Sequence, residues 1–172
     1  MGGLFREEEA PRAGLHRDGL YERAGMGSRV FHQLYYHFAW STKRRMPLLT
    51  DEVRAWTIAR TESSAVKQGG HVLACNAMPD HIHLLAALPP TACVSTFIGR
   101  VKGETAYAFN REFHPRHHLQ WQDGYGVVAF RATEIARVIR YITDQQVIHA
   151  RRALSRLLET TEREEPTPSP RP

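Results

Sequence analysis

Cysteine is scarce in this sequence, and long hydrophobic runs are missing. Cys75 and Cys93 are the two cysteines among 172 residues, and they lie in apolar surroundings without metal-ligand spacing, which argues against a disulfide framework. No apolar run approaches the roughly 18 residues of a transmembrane helix, and residues 1–9 lack the apolar core of a signal peptide. These absences predict a soluble, cytoplasmic protein with reduced cysteines and no membrane partner.

One domain with two weakly patterned ends is the organisation that the length favours. The hydrophobic content of 42% is ordinary for a globular protein. Residues 1–28 mix Gly, Arg and Glu without a sustained period, and residues 159–172 contain four prolines. Both compositions are typical of disorder, so we expect a disordered leader over 1–28, a domain over 29–158 and a disordered tail over 159–172.

Positive charge is concentrated in the middle of the chain. Residues 1–28 carry four Arg against five acidic residues, and residues 159–172 carry two Arg against four. Because the whole chain has a net charge of +5, residues 29–158 carry +8. A basic body favours a polyanionic partner, most commonly nucleic acid. A basic protein without such a partner would show the same charge, so charge alone leaves both interpretations open.

Two histidines stand two residues apart in the apolar segment Met78–Leu85. The alternation predicts a strand in which His81 and His83 share one face, while Ile82 and Leu84 point to the other. Two adjacent imidazoles can hold a divalent metal ion. A pair of ordinary hydrogen-bonded histidines is the commoner form of this pattern, so the motif needs support from elsewhere in the chain.

Apolar periodicity predicts seven elements in the body of the chain. Strands are expected near 34–41, 71–78, 81–88 and 127–130, and helices near 50–68, 92–112 and 134–158. The resulting order is strand, helix, strand, strand, helix, strand, helix, which is the split βαβ pattern. It predicts an α+β fold, a ferredoxin-like or RRM-like four-stranded antiparallel sheet with helices on one face and an added C-terminal helix.

The added helix carries three polar groups at helical spacing. Tyr141, Gln145 and His149 follow one another at intervals of four residues, so they lie one turn apart on one face. A lone tyrosine in this position is ordinarily a surface or interface residue. His149 could contact a site beside Tyr141 or simply lie near the last helical turn.

Cationic side chains could follow a nucleic-acid backbone at two places. Lys43, Arg44 and Arg45 are adjacent in the turn after the first strand, and Arg100 and Lys102 lie among the polar positions of the second helix. A solvated basic loop explains the first group nearly as well.

Several motifs, in order, resemble those of one known family. The similar segments are Trp40-Ser41-Thr42-Lys43 with Arg45 and Pro47, Met78–Leu85, and Trp121–Tyr125. Over roughly residues 29–152 the chain resembles the single-tyrosine HUH transposases of the insertion-sequence 200/605 type, including the tyrosine transposases associated with repeated extragenic palindromes.

The resemblance implies that residues 29–158 form an HUH transposase domain that cleaves and rejoins single-stranded DNA at hairpin-marked ends through a 5′-phosphotyrosine. Tyr141 stands where the family keeps its nucleophile, and Gln145 stands where it keeps a helix-borne metal ligand. With His81 and His83, Gln145 would hold Mg²⁺ or Mn²⁺, which would polarise the phosphate. The resemblance also implies a homodimer that can exchange the tyrosine helix between subunits.

Three functional interpretations follow. The first is an active, metal-dependent DNA strand transferase and endonuclease. The second is an inactive or domesticated relative that still binds hairpin-bearing single-stranded DNA. The third is a metal-dependent phosphodiesterase on a ferredoxin-like fold. The presence of both histidines, Tyr141 and Gln145 argues against simple decay and favours the first.

Overall fold

The computed structural model describes residues 31–114 and 118–161. In chain order the elements are β1 (Tyr35–Ser41), α1 (Asp51–Lys67), β2 (His71–Met78), β3 (His81–Ala87), α2 (Val94–Phe113), β4 (Gly126–Phe130), α3 (Ile135–Thr143), α4 (Gln145–Ala150) and α5 (Arg156–Glu159). Two short 3₁₀ turns, Lys43–Arg45 and Ala132–Glu134, follow β1 and β4. The predicted leader over 1–28, and residues 162–172 of the predicted tail, lie outside the described residues. None of the described helices is long and apolar enough to cross a membrane.

The four strands form one antiparallel sheet in the order β2-β3-β1-β4. In its centre, β1 pairs Ala39 with His83 and Ser41 with His81. Paired residues of antiparallel strands project to the same side of the sheet, and successive residues alternate between sides. The strands and helices therefore confirm the predicted α+β fold and place His81 and His83 on one face.

The opposite face carries the main hydrophobic core. Phe38 and Trp40 of β1 and Ile82 and Leu84 of β3 are fully buried there, together with side chains of α1 and α2 such as Phe97. Burying each such side chain contributes about 2 kcal/mol. The two long helices thus cover the sheet face that does not carry the histidine pair.

A smaller cluster lies on the histidine face. Val138 and Ile142 of α3 pack on Leu85 of β3 and Phe130 of β4, and Leu158 of α5 joins them. Beside this cluster, the Asn76 side chain of β2 donates hydrogen bonds to the last carbonyls of α3, at 2.8 Å to Ile142 and 3.2 Å to Thr143. These carbonyls would otherwise lack an intrahelical partner, so Asn76 fixes the end of α3 above the histidines.

The single helix predicted over 134–158 is wrong, because this segment forms three helices. Helix α3 ends at Thr143, and α4 closes after Ala150 with Arg152 in the left-handed region at φ 53°. There the Arg152 amide donates to the His149 carbonyl and the Ala153 amide to the Ile148 carbonyl, the pattern of a Schellman cap. Glycine commonly occupies this cap position. An arginine there gives no signal of a helix end in the sequence.

The C-terminal segment, residues 155–161, returns to the sheet after this cap. Glu159, where the predicted tail begins, ends α5, and Thr161 is buried. The segment crosses β4 at Gly126, where an added Cβ would lie 1.8 Å from the Thr160 carbonyl oxygen. A residue without a side chain is therefore required at this crossing.

Candidate functional site

The two histidines of β3 form the floor of the candidate site. His81 and His83 are 2% and 0% exposed, and their ring centroids lie 5.0 Å apart with the rings nearly perpendicular. The Nε2 atoms of both rings are buried and have no hydrogen-bond partner among the described residues. A buried polar atom left in this state costs about 1–3 kcal/mol, so the pair is suited to an added ligand.

The Nδ1 atoms of the two rings contact polar side chains of neighbouring residues. His81 Nδ1 lies 2.6 Å from Asp80 Oδ1, and His83 Nδ1 lies 3.0 Å from His37 Nε2 with the two rings stacked. Burial and the neighbouring His83 lower the pKa of His37 to about 3, so His37 is neutral. The pKa of His83 is also lowered, chiefly by burial. Neutral imidazole is the form that binds a metal ion.

Glu159 closes the site from the C-terminal segment. Its Oε1 lies 3.4 Å from His83 Nε2, and its Oε2 lies 3.5 Å from His81 Nε2. Burial alone would raise the pKa of Glu159, but His83, Tyr141 and His81 outweigh it and lower the pKa to about 2. One ligand atom from each of the three residues falls within 4.8 Å of the others. The group His81, His83 and Glu159 could therefore hold a metal ion.

Tyr141 reaches the same carboxylate from α3. Its hydroxyl donates to Glu159 Oε1 at 2.5 Å and accepts from the Ser155 amide at 3.0 Å. Burial and the hydrogen bond to Glu159 raise the pKa of Tyr141 to about 12. The phenol is therefore protonated in this arrangement, with its proton directed at an acceptor.

Gln145 and His149 complete the cluster. The fully buried Gln145 donates from Nε2 to the Tyr141 carbonyl at 3.3 Å and to Glu159 Oε1 at 3.4 Å. His149 Nε2 lies 3.7 Å from Glu159 Oε2, and its ring lies 5.0 Å from that of His81. Gln145 Oε1 and His149 Nε2 are buried without a hydrogen-bond partner in the described part of the chain. His149 thus lies beside the site, next to the group His81, His83 and Glu159 that could hold a cation.

The basic turn after β1 is connected to this site. Lys43, Arg44 and Arg45 are exposed, and Arg45 donates to Asp80 Oδ2 at 3.1 Å. Beside the turn is a cavity of about 240 Å³, lined by Lys43, Arg44, Met46, Leu48, His118 and Gln120. The turn thus presents cations at the surface next to the hairpin that carries His81.

The structure does not bring the other two predicted DNA-binding residues to this surface. Lys102 is 8% exposed, and its amine donates to the carbonyls of Gln122, Asp123 and Gly124. It stabilises that turn from inside, which corrects the prediction that Lys102 occupies a polar position from which it could follow a nucleic-acid backbone. Arg100 is exposed on α2, the helix layer on the other face of the sheet, and donates to Gln68 at 3.3 Å.

Sequence reasoning missed His37, Asp80 and Glu159 as parts of the site. Alternation along β1 places His37 on the face of His81 and His83 once the two strands are paired, so that signal was present. Glu159 had no such signal. It lies in a short segment whose composition is typical of disorder, and the three-helix path that returns it to β3 is not visible in the apolar periodicity.

Comparison with known proteins places the chain in a family. The family model described as "Transposase IS200 like" matches residues 30–145, which is more than half of the chain. The ISDra2 transposase TnpA of Deinococcus radiodurans is 28% identical over 127 residues, covering 69% of this chain and 89% of that protein.

Two solved structures are similar to this fold. One, from Deinococcus radiodurans R1 and assigned as a transposase, has a TM-score of 0.58 and 28% identity, and the match covers 70% of this chain and 96% of that one. The other is a REP-associated tyrosine transposase bound to a REP hairpin, with a TM-score of 0.50, 19% identity, and coverage of 72% and 74%. The family match over residues 30–145 shows the family, and the two solved structures share the fold. The chain therefore belongs to the IS200-like transposases.

Proposed function

We propose that this transposase cleaves and rejoins single-stranded DNA at hairpin-marked ends through a 5′-phosphotyrosine on Tyr141. The observation that supports this most is the meeting of Tyr141 with both histidines at a single carboxylate. The tyrosine hydroxyl and the two unpartnered Nε2 atoms all lie within 3.5 Å of Glu159. A nucleophile and a set of metal ligands on one acceptor suit phosphoryl transfer.

His81 and His83 would hold a divalent cation, with a third ligand from Glu159, Gln145 or both. Glu159 supplies a carboxylate and Gln145 an unpartnered buried amide oxygen. Two oxygen donors beside two imidazoles suit Mn²⁺ and Mg²⁺, and Mg²⁺ favours the more oxygen-rich ligand sets. When bound, the cation would supply Lewis-acid polarisation of the phosphate oxygens and withdraw charge from the reacting centre.

Tyr141 would attack phosphorus, forming the phosphotyrosine bond as the bond to the 3′ oxygen breaks. The phenolic proton passes to Glu159 Oε1, 2.5 Å away, and from there, directly or through water, to the departing oxygen, which becomes a 3′-hydroxyl. With pKa values of about 12 for Tyr141 and about 2 for Glu159, this transfer is uphill in the absence of other charges. A cation at the histidines would lower the pKa of the phenol. Attack by a 3′-hydroxyl on the phosphotyrosine reverses the step and rejoins DNA.

The hairpin substrate is proposed from the family and from the protein surface. The REP-associated relative is bound to a REP hairpin, and Lys43, Arg44 and Arg45 present three cations beside the site. Exposed lysine and arginine side chains bind phosphates without regard to base sequence. We therefore place the DNA backbone along the basic turn.

A homodimer with exchange of the tyrosine helix belongs to the proposal as well. Within one chain the Tyr141 and His83 rings lie 6.2 Å apart, so each chain can also form a site from its own residues. Mixing His81→Ala chains with Tyr141→Phe chains separates the two arrangements. Exchange between subunits predicts recovered cleavage in the mixture, whereas sites formed within single chains predict none.

The direct test is incubation of the full chain with labelled hairpin single-stranded DNA and Mn²⁺ or Mg²⁺. A covalent protein–DNA band supports the transposase mechanism. Cleavage without a covalent band favours the phosphodiesterase, and tight binding with neither favours the inactive relative.

A further inference from the structure

Asp80, immediately before the histidine pair, uses both of its carboxylate oxygens. Oδ1 lies 2.6 Å from His81 Nδ1, and Oδ2 accepts from Arg45 Nη1 at 3.1 Å. The Asp80 side chain is 25% exposed and that of Arg45 is 51% exposed. The carboxylate therefore stands between a surface arginine and a buried ring of the site, with one oxygen directed at each.

The main chain holds Asp80 in this position. The Thr42 amide and hydroxyl both donate to the Asp80 carbonyl, at 2.8 and 3.2 Å. The Leu49 amide donates to the neighbouring Pro79 carbonyl at 2.9 Å. The basic turn and the β2–β3 connection are thus joined by backbone bonds on both sides of Arg45, so that the Arg45–Asp80 contact forms within a fixed frame.

The contact determines which nitrogen of His81 faces the site. An ionised carboxylate can only accept hydrogen bonds, and Asp80 Oδ1 lies 2.6 Å from Nδ1 whereas Glu159 Oε2 lies 3.5 Å from Nε2. The nearer carboxylate therefore favours a His81 ring that carries a proton on Nδ1 and presents a lone pair at Nε2. A carboxylate behind a metal-binding histidine fixes the ring and raises its basicity. His83 is held by the neutral His37 instead, so the negative charge lies behind His81 alone within this pair.

Arg45 differs from its neighbour Arg44 in one respect. Both are exposed and both adopt left-handed φ values, 52° and 57°, a strain found mainly where surrounding structure enforces it. Arg45 contacts Asp80, whereas no contact to Asp80 is seen for Arg44 among the described residues. A guanidinium has five N–H donors, so Arg45 can hold Asp80 with Nη1 while its half-exposed remainder contacts a phosphate.

We propose that Asp80 is a positioning residue for the metal ligand His81, and that Arg45 links this residue to the DNA backbone by contacting both. The proposal rests on the proposed function in assuming that His81 binds a metal. The chain Arg45–Asp80–His81 would then place a bound phosphate two side chains away from the metal ligand. The Asp80 carboxylate would thus take part both in DNA binding, through Arg45, and in orienting the His81 ring.

The first test is the tautomer of His81 in the wild-type chain, without metal or DNA. A long-range ¹H–¹⁵N spectrum of ¹⁵N-histidine-labelled protein at pH 8 should show the Nδ1–H form for His81. Asp80→Ala should lose this preference. The Nε2–H form in wild type, or an unchanged tautomer in Asp80→Ala, would overturn the proposal. The wild-type measurement requires no variant to fold.

The second test measures Mn²⁺ affinity by calorimetry, again without DNA. Asp80→Ala should bind Mn²⁺ about 10- to 100-fold more weakly, as expected when a carboxylate behind a ligand histidine is removed, and the isosteric Asp80→Asn should lie between it and wild type. Asp51→Asn is the matched control, because Asp51 also pairs with an arginine, Arg54, but on α1. Equal affinity in the Asp80 and Asp51 variants would contradict the positioning role.

The third test separates Arg45 from Arg44. Both Arg45→Gln and Arg44→Gln should weaken single-strand binding, but Arg45→Gln alone should shift the His81 ring resonances. Equal ring spectra for the two variants would remove Arg45 from the link. Because these readouts involve no cleavage, a failure of the phosphotyrosine mechanism would leave them interpretable, and their failure would leave that mechanism standing.

Discussion

At the scale of single residues, the candidate site is marked by buried histidine nitrogens that have no hydrogen-bond partner among the described residues. The Nε2 atoms of His81, His83 and His149 are buried within 3.7 Å of one carboxylate and receive no hydrogen bond in the described ranges. Groups in this state are normally satisfied by water or by an ion. The arrangement makes metal binding testable apart from any DNA reaction.

Replacement of either histidine of the pair, His81 or His83, by alanine should abolish cleavage and weaken Mn²⁺ binding strongly, while leaving the fold intact. The core-facing Ile82 and Leu84 are untouched by these changes. Calorimetry measures the affinity, and circular dichroism reports the fold. The matched control is His71→Ala, an exposed histidine at the start of β2, which should bind as wild type does. Metal-free cleavage at the wild-type rate would contradict the assignment.

His37 should make stability fall in acid. Burial lowers its pKa from the usual 6.5 to about 3, so the unfolded chain takes up a proton at His37 at a pH where the folded chain does not. Its contribution is fully present above pH 6.5 and is lost as the pH falls toward 3. Denaturant unfolding at pH 8 and pH 5 measures the change in the free energy of unfolding.

His37→Gln should reduce that pH dependence, because glutamine does not titrate and can still bond to His83. The exposed His71→Gln should keep it. If wild type and His37→Gln lose equal free energy between pH 8 and pH 5, the buried neutral state of His37 does not govern acid stability.

At the scale of elements, the C-terminal segment is the part that completes the site. Leu158 packs in the smaller cluster on the histidine face, Glu159 approaches His81 and His83, and Thr160 crosses Gly126. These contacts come from three adjacent residues of one short segment, so we expect them to be lost together.

Gly126→Ala should displace this segment. A Cβ at 1.8 Å from the Thr160 carbonyl oxygen cannot be accommodated without backbone movement, so Glu159 should leave the site. Hydrogen exchange over residues 155–161 should rise and the melting temperature should fall. The control is Gly103→Ala at an exposed position of α2, where an added Cβ meets no described atom within 4 Å. That change should stabilise the chain by about 0.5–1 kcal/mol. Unchanged exchange in Gly126→Ala would contradict the close crossing.

Some elements were predictable from the sequence and others were not, for physical reasons. Alternation along β1 and β3 and the Gly69-Gly70 break after α1 are local signals, and they predicted the sheet, its two faces and the first two helices. The end of α4 depends on Arg152 in a left-handed conformation, which local preference disfavours by about 1–2 kcal/mol. The cap bonds to the His149 and Ile148 carbonyls accompany this conformation, and an arginine does not signal them, so the path of the last helices was predicted wrongly.

At the scale of the whole molecule, the fold decides which of the positive charges lie beside the candidate site. The body over 29–158 carries a net charge of +8. Lys102 is buried and Arg100 lies on the other face of the sheet. Of the five predicted DNA-binding cations, the three in the basic turn therefore lie beside the site. Charge counting could not distinguish a lysine that binds DNA from one that caps a turn. Only packing separates them.

Binding to single-stranded hairpin DNA should weaken steeply with salt and exceed binding to blunt duplex. Changing Lys43, Arg44 and Arg45 together to glutamine should flatten the slope of log affinity against log salt by about 0.7 for each phosphate that the variant no longer binds. Arg100→Gln, on the other helix layer, should leave the slope unchanged. Fluorescence anisotropy across a salt series measures both. A salt-independent affinity would exclude the electrostatic role, and equal duplex binding would exclude the single-strand preference.

The central claim is that Tyr141 is the nucleophile, and Tyr141→Phe tests it most directly. The change removes the hydroxyl that donates to Glu159 but keeps the ring. With labelled hairpin DNA and Mn²⁺, the variant should bind DNA and metal nearly as wild type does and form no covalent adduct. The exposed Tyr107→Phe is the control and should form the adduct normally. An adduct on Tyr141→Phe, or none on wild type with any hairpin substrate, would contradict the account.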